Sequence, residues 1–300
     1  IATDSARSLQ VAGGIGITSS LSPLSKVGTV RLSYDAFGLV TPKASAAAPV
    51  GVAAAPPVTT TTTTTTASSC TGTQVSAGAD LVAKVNAAAS GSTVCIGPGR
   101  YRITGQLSPR AHVTLWGNGA VVDGSVPLTG WVASGATWYV AGELPAACSK
   151  TGACENNTTN PCQIAEQVFQ DDVRLVRVMS LSAVKAGTFY QDFAANRVYV
   201  GSNPAGHVLA MAKTRTALAS SAGYVTIKNL VFEKFASLAQ RGAVLANGPS
   251  WTITGNTMRN NHVVGLLLSL SNSTVVKGNS FVNNGQLGLG VGSSQGVVIS

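Results

Sequence analysis

Acid–base catalysis needs carboxylates, histidines or lysines held in pairs, and a hard metal ion needs several oxygen ligands. This chain is poor in both: its 300 residues carry 11 acidic side chains and three histidines. Asp171-Asp172 is the one pair of adjacent acids. It stands between two short β-prone runs, where aspartate commonly makes turns. A turn is therefore expected, with a Ca²⁺-binding or catalytic role for Asp171 and Asp172 as the alternative. Asp123-Gly124 reads in the same way. Beyond Asp192 the sole acid is Glu233, which argues against a carboxylate-driven site in the last third of the chain. The candidates for proton transfer there are basic, His262 and Arg259, with His262 expected in a solvated turn. Lys228 and Lys277 are candidates for holding a ligand, although an exposed strand face would also explain them.

The scarcity of charge extends to the whole composition. Charged residues make up 10% and hydrophobic ones 45%, where an average globular chain is about 25% charged. Disorder over most of the chain is excluded, because ample Val, Ile and Leu can bury a core. A coiled coil is excluded as well, since it would be rich in Glu, Lys and Arg. The net charge of +9 is spread without any run of Lys or Arg, so no nucleic-acid footprint is present. The five cysteines form no CxxC pair and have no neighbouring His, which excludes a zinc site. Cys70 and Cys95 flank a predicted helix and are expected to pair. Two of Cys148, Cys154 and Cys162 are expected to pair within one loop. These pairings point to an oxidising, secreted or extracellular setting.

The elements that must position these residues fall into three stretches. Residues 1–43 read as a tail or the end of a preceding domain. Residues 44–69 read as an Ala/Pro/Thr-rich linker, with eight threonines at 59–66 that have no apolar face to bury. Its apolar part carries Pro49, Pro56 and Pro57, so no membrane span is expected. The chain starts at Ile1 without a secretory leader and reads as an internal or processed piece. A folded domain is expected over 70–300. It opens with an amphipathic helix at 78–89 that places Leu81, Val82 and Val85 on one face. Short strands at 93–96, 100–103, 112–116 and 120–122 follow, and 70–130 forms the N-terminal cap. Residues 131–223 break the rhythm and read as an inserted β subregion, with a hairpin around 193–196. Its Trp131 and Trp138, beside Tyr139 and Tyr190, are candidates for stacking on sugar rings, packing of the insert being the other role open to them.

Residues 224–300 repeat. Val225-Thr-Ile-Lys, Trp251-Thr-Ile-Thr, Thr274-Val-Val-Lys and Val297-Val-Ile-Ser follow at offsets of 26, 23 and 23. Gly242, Gly265 and Gly288 recur every 23 residues, and Gly255-Asn256 matches Gly278-Asn279. Three short strands in about 23 residues make one coil of a parallel β-helix, which must stack on its neighbours to bury its inward side chains. The predicted inward columns are Ile227/Ile253/Val276/Ile299, Phe232/Met258/Phe281 and Leu245/Leu268/Val291. Val244/Leu267/Gly290 and Ala246/Ser269/Gly292 are predicted to face outward. Backbone ladders satisfy most polar groups in such a fold, which explains how it does with so little charge.

Three sequence features carry a resemblance to a known group: IGPGRYRI with VTLWGNGAVVDGS, the coils TITGNTMRNN…GLLL and VVKGNSFVNNG…GLGV, and the segment EQVFQDD…GTFYQDFAANRVYVGSNPAG. Together they resemble the right-handed parallel β-helix, pectin-lyase-like superfamily of secreted bacterial proteins. The resemblance covers roughly 70–300. It implies an all-β, right-handed solenoid with a capping helix and an inserted β subregion. Because Ser300 falls inside a strand, the solenoid is expected to be truncated at its C-terminus, with active residues beyond it. The resemblance implies a secreted, monomeric, carbohydrate-active protein that binds or cleaves a polysaccharide or cell-surface glycan as a lyase or hydrolase. The alternative is a non-catalytic surface or adhesion module. No cofactor is evident from the residues; Ca²⁺ enters only through the resemblance.

Overall fold

A computed structural model describes residues 70–145 and 164–300, together with the backbone of two short strands, Ser19–Ser20 and Arg31–Leu32. The linker 44–69 and Cys148, Cys154 and Cys162 lie outside the described residues. Among the described residues no helix is long and apolar enough to cross a membrane.

The described chain is nearly all β, and its framework is a parallel solenoid. Alternation along each short strand sends every second side chain inward, and stacking in register turns these into columns. Ile227, Ile253, Val276 and Ile299 lie in one column, as predicted, and Val94 and Leu115 extend it backwards. A second column runs Tyr101, Val122, Phe232, Met258, Phe281. Apart from Phe281, which is half-buried, its members are buried.

In the third predicted column Leu268 and Val291 lie in register and face the core, as predicted, but Leu245 is off by one residue. Leu218, Val244, Leu266 and Leu289 form the buried column, each at most 2% exposed, whereas Leu245 lies in register with Leu267 and is half-exposed. The cause is that Gly242 pairs with Val264 and not with Gly265. The glycine repeat therefore slips by one against the pleat at this coil, and a one-residue slip exchanges inside and outside. Val244 and Ala246 consequently face the core, while Leu267 faces outward as expected.

Corners between strands also stack. His112, Tyr224, Ser250, Ser273 and Gly296 all have positive φ, as do Asn229, Gly255 and Gly278 in a second series and Lys234, Asn260 and Asn283 in a third. Next to two of these corners, asparagines bridge from coil to coil. The Asn256 amide donates to the Ile227 carbonyl and to Asn279 Oδ1, and the Asn261 amide donates to the Phe232 carbonyl and to Asn284 Oδ1. Side chains thus satisfy the backbone groups that a corner leaves unpaired.

Helix α1 (Leu81–Ala87) is shorter than the predicted 78–89, because Asp80 caps it by accepting from the Ala83 N–H at 2.9 Å and Ala88 leaves helical geometry. Its buried Leu81 and Val85 join the solenoid core. Cys70 and Cys95 are disulfide-bonded, as predicted. Strands Ser19–Ser20 and Arg31–Leu32 lie parallel to Leu287–Gly292 and Val298–Ile299 of the last coil.

The chain leaves the solenoid after Asp123 and returns at Leu218, and stacking continues across the gap: Thr114–Asp123 pairs directly with Thr226–Glu233. Between them lie two mostly antiparallel sheets, one from Ser125–Pro127 to Leu209–Ala212, the other containing the predicted hairpin Thr188–Asp192/Arg197–Val200. Their own core gathers Leu128, Val140, Val168, Phe189, Val198 and Met211. A polar network docks the insert on the coils. Arg177 donates to the Ile164 and Glu166 carbonyls, while Arg215 pairs with Glu166 at 2.6 Å and donates to the Ala236 carbonyl. Burial pushes the Arg177 guanidinium down to about 10 against the opposing Glu166 charge, so it remains a cation at neutral pH.

Candidate functional site

The second buried column fixes the site. Tyr101, Val122, Phe232 and Met258 point inward, so the residues that follow them, Arg102, Asp123, Glu233 and Arg259, face the other way. Register places these four side by side on adjacent rungs, about 4.8 Å apart. Because the insert packs over this face, Asp123 and Glu233 are buried although they face away from the core, at 0% and 1% exposure. Gly124 permits the close approach: a Cβ there would stand 2.5 Å from the Phe235 ring.

Every carboxylate oxygen of Asp123 and Glu233 is matched. Asp123 accepts from the Ser125 N–H and Oγ at 2.8 and 2.7 Å, and from Arg100 Nη1 at 2.5 Å. Glu233 accepts from the same Arg100 Nη1 at 2.5 Å and from Arg259 Nε at 2.6 Å, and Lys234 Nζ is 3.5 Å away. Unpaired, each such charge would cost several kcal/mol to bury. Burial lowers the Arg100 pKa, but its bonds and charge interactions with Asp123 and Glu233 outweigh this, and the net direction is up.

Lys234 completes the cluster from an unusual position. Its φ of 59° is the corner conformation that asparagine supplies at the equivalent Asn260 and Asn283, and asparagine tolerates it far better than lysine. The Lys234 side chain is 1% exposed, bonds Asp172 and lies 5.2 Å over the Phe169 ring. Asp171 and Asp172, with φ of 50° and 65°, form the tight turn between Val168–Gln170 and Val173–Arg174. The expected turn is therefore present, and its tip reaches the solenoid. Asp172 also accepts from Arg100 Nη2 at 2.9 Å, and Asp171 accepts from the Val208 N–H at 2.9 Å and contacts His207 at 2.5 Å. Burial pulls the Asp172 carboxyl upward, but Lys234, Arg100 and Arg259 together hold it below the ordinary Asp value. The Asp171 carboxyl is lowered, chiefly by the Val208 N–H and then by His207. Arg100, Arg102, Asp171, Asp172 and Val208 line an open cleft of about 350 Å³.

Of the residues singled out in the sequence, Arg259, Asp171 and Asp172 meet here. His262 does not: it is fully buried, its Nδ1 2.8 Å from the Ser237 carbonyl, and it is neither a solvated turn residue nor open to a ligand. Lys228 lies 3.5 Å over the Trp116 ring, and Lys277 is exposed two rungs away in the same row. Trp131 and Trp138 line a separate groove on the insert. Sequence reasoning passes over Arg100, Arg102 and Lys234, and it does not bring Asp123 and Glu233 together. Asp123 was read as a turn residue, yet it ends a strand and is buried. Glu233 reads as a lone acid in the sequence, because Arg100, which bridges it to Asp123, comes from outside the repeat. The available signal was Lys234, which breaks the asparagine pattern at its corner.

The cluster does not suit Ca²⁺. Arg100 Nη1 stands between Asp123 and Glu233, and Lys234 holds Asp172, so a metal ion would meet two cations where it needs oxygen. Among the described residues no group of three His, Cys, Asp or Glu side chains is arranged to hold a metal.

A family described as a right handed beta helix region matches residues 206–300. A solved complex of XylC with xylose is similar over 68% of this chain and 50% of its own, at 12% identity and a TM-score of 0.52. A solved glycoside hydrolase is similar over 63% of this chain and 58% of its own, at 10% identity and a TM-score of 0.42. The chain thus spans between half and three fifths of the length of these structures. At such identities the likeness concerns the fold, a right-handed parallel β-helix. No curated protein matches the chain by sequence.

Proposed function

We propose that this chain is a secreted, carbohydrate-binding β-helix protein and that the Arg102–Asp123–Glu233–Arg259 row, with Arg100, receives an acidic polysaccharide. One observation carries the reading: the carboxylates of the row are buried and the guanidinium groups are not. Arg102 and Arg259 are 40% and 42% exposed, against 0% and 1% for Asp123 and Glu233. Buried acids therefore act as anchors that orient a cationic surface outward, and Arg matches a carboxylate by two parallel N–H bonds. The diffuse net charge of +9 favours the same partner over distance. A two-carboxylate hydrolytic mechanism is less well supported, because it needs one carboxyl free to donate a proton and another free to attack or activate water, and here each carboxylate is bonded to a base. The likeness to the xylose complex adds a sugar ligand as precedent on this fold, and the Cys70–Cys95 bridge supports an oxidising compartment.

Calorimetric titration with polygalacturonate at low and moderate salt tests the proposal. Binding should weaken at least tenfold with added salt, and at least tenfold in the R102A/R259A double variant, which corresponds to about 1.4 kcal/mol. Absent binding, or binding insensitive to both salt and the substitutions, overturns it. Unsaturated or reducing ends released in the same mixtures would extend the reading from binding to cleavage.

A further inference from the structure

Four tryptophans are present, and two of them have evident structural tasks. Trp251 is fully buried with its indole N–H donated to the Ala222 carbonyl at 2.7 Å, and Trp116 is covered by Lys228. Trp131 and Trp138 differ. Each is half-buried, packing against the insert core, and each also lines an open groove of about 360 Å³ with Ala133, Asn203, Pro204 and Ala205. Trp138 lies in register between Ala133 and Val200, whose strand runs on into the loop carrying Asn203. Trp131 is fixed by its edge, its Nε1–H donating to the Leu128 carbonyl at 3.2 Å. Asn203 Oδ1 accepts from the Ala205 N–H at 3.0 Å, which orients the amide and leaves its NH₂ group as a donor at the groove.

We infer that this groove is a second ligand site, which binds a neutral, flat-faced sugar ring by stacking on Trp131 and Trp138. No charged side chain lines it, so it has no means of selecting an ionic ligand, unlike the arginine row. A groove that combines two indoles with uncharged polar surface and one oriented donor suits a ligand that has C–H faces and hydroxyl edges. Sugars whose substituents are all equatorial have such faces, so β-1,4-linked xylose and glucose chains are the class it fits. Two rigid indoles held half-open expose apolar area that further packing would have buried, which marks a surface kept for a partner. The inference does not rest on the acidic-polysaccharide reading, and the two can fail separately.

The test is titration of the intact chain with xylohexaose and with cellohexaose, followed by tryptophan fluorescence and by the indole N–H signals in NMR. At least one sugar should give a saturable change below about 10 mM, confined to the Trp131 and Trp138 signals. W138A should weaken binding at least tenfold, W138F should stay within threefold, and R102A/R259A should leave it unchanged. The NMR readout uses the unaltered chain, so it stands even if W138A fails to fold. No saturable change with either sugar, or changes confined to Trp116 and Trp251, overturns the proposal. The Pro/Thr-rich peptide 49–66 is the competing occupant, and its binding to the groove in place of both sugars overturns it too.

Discussion

Lys234 concentrates two opposing costs in one residue. Its left-handed backbone is strained for a lysine, of the order of 1 kcal/mol, while its ammonium serves Asp172 and sits near the buried Glu233. Lys234→Asn would relieve the first and remove the second. Losing the charged hydrogen bond to Asp172 and the cation beside the buried Glu233 costs more, so the variant should lose about 1–3 kcal/mol in urea unfolding. An unchanged or raised stability would show that the corner, and not the charge cluster, dominates. Asp172 gives the pH counterpart. Its folded pKa is depressed below 3.8, so its contribution is complete above the ordinary Asp range and is lost as the pH falls through the folded value. Asp172 is 62% exposed, which makes the contribution small. Between pH 6 and pH 3 the melting temperature of the wild type should fall further than that of Asp172→Asn. Parallel profiles would contradict this.

At the scale of strands and corners, the asparagine bridges do for the solenoid what caps do for a helix. Asn261 accepts from the Phe235 N–H at 3.1 Å and donates to the Phe232 carbonyl. Asn261→Ala would strand both groups in the interior next to the charged row. About 1–3 kcal/mol per group should be lost in unfolding, and the Phe235 amide should exchange faster with deuterium while the Ile253 amide changes little. These bridges also show why the coils could be read from sequence. A coil repeats because identical neighbours must stack, so Ile227, Ile253 and Val276 betray each other at fixed offsets. Leu245 is misplaced because Gly242 lies within its strand and pairs with Val264, so a glycine recurring every 23 residues does not fix the pleat. The site was harder to read, since only Glu233, Lys234 and Arg259 belong to the repeat. Arg100 and Asp123 come from the first coils, and Asp172 comes from a hairpin whose docking no periodicity encodes.

Across the whole molecule, the core is closed at its first end by helix α1 and the Cys70–Cys95 bridge, which spans 25 residues. Reduction should therefore destabilise the first rungs by about 3 kcal/mol on the loop-entropy account. Hydrogen exchange should rise first in Thr73–Val75 and Thr93–Ile96 while Val264–Ser269 stays protected. Uniform loosening of all coils would show that the solenoid unfolds as one unit, contrary to the nearest-neighbour behaviour of stacked repeats. The detour between Asp123 and its rung partner Glu233 has a further consequence, which concerns biosynthesis. The two are 110 residues apart (233 − 123), and chains lengthen by about 5–20 residues per second. A nascent strand Thr114–Asp123 therefore waits about 5–20 s for the strand that covers its open edge. Over that interval the insert, which has its own core, can already be folded beside it, so the order of synthesis favours a preformed clamp into which the later coils close.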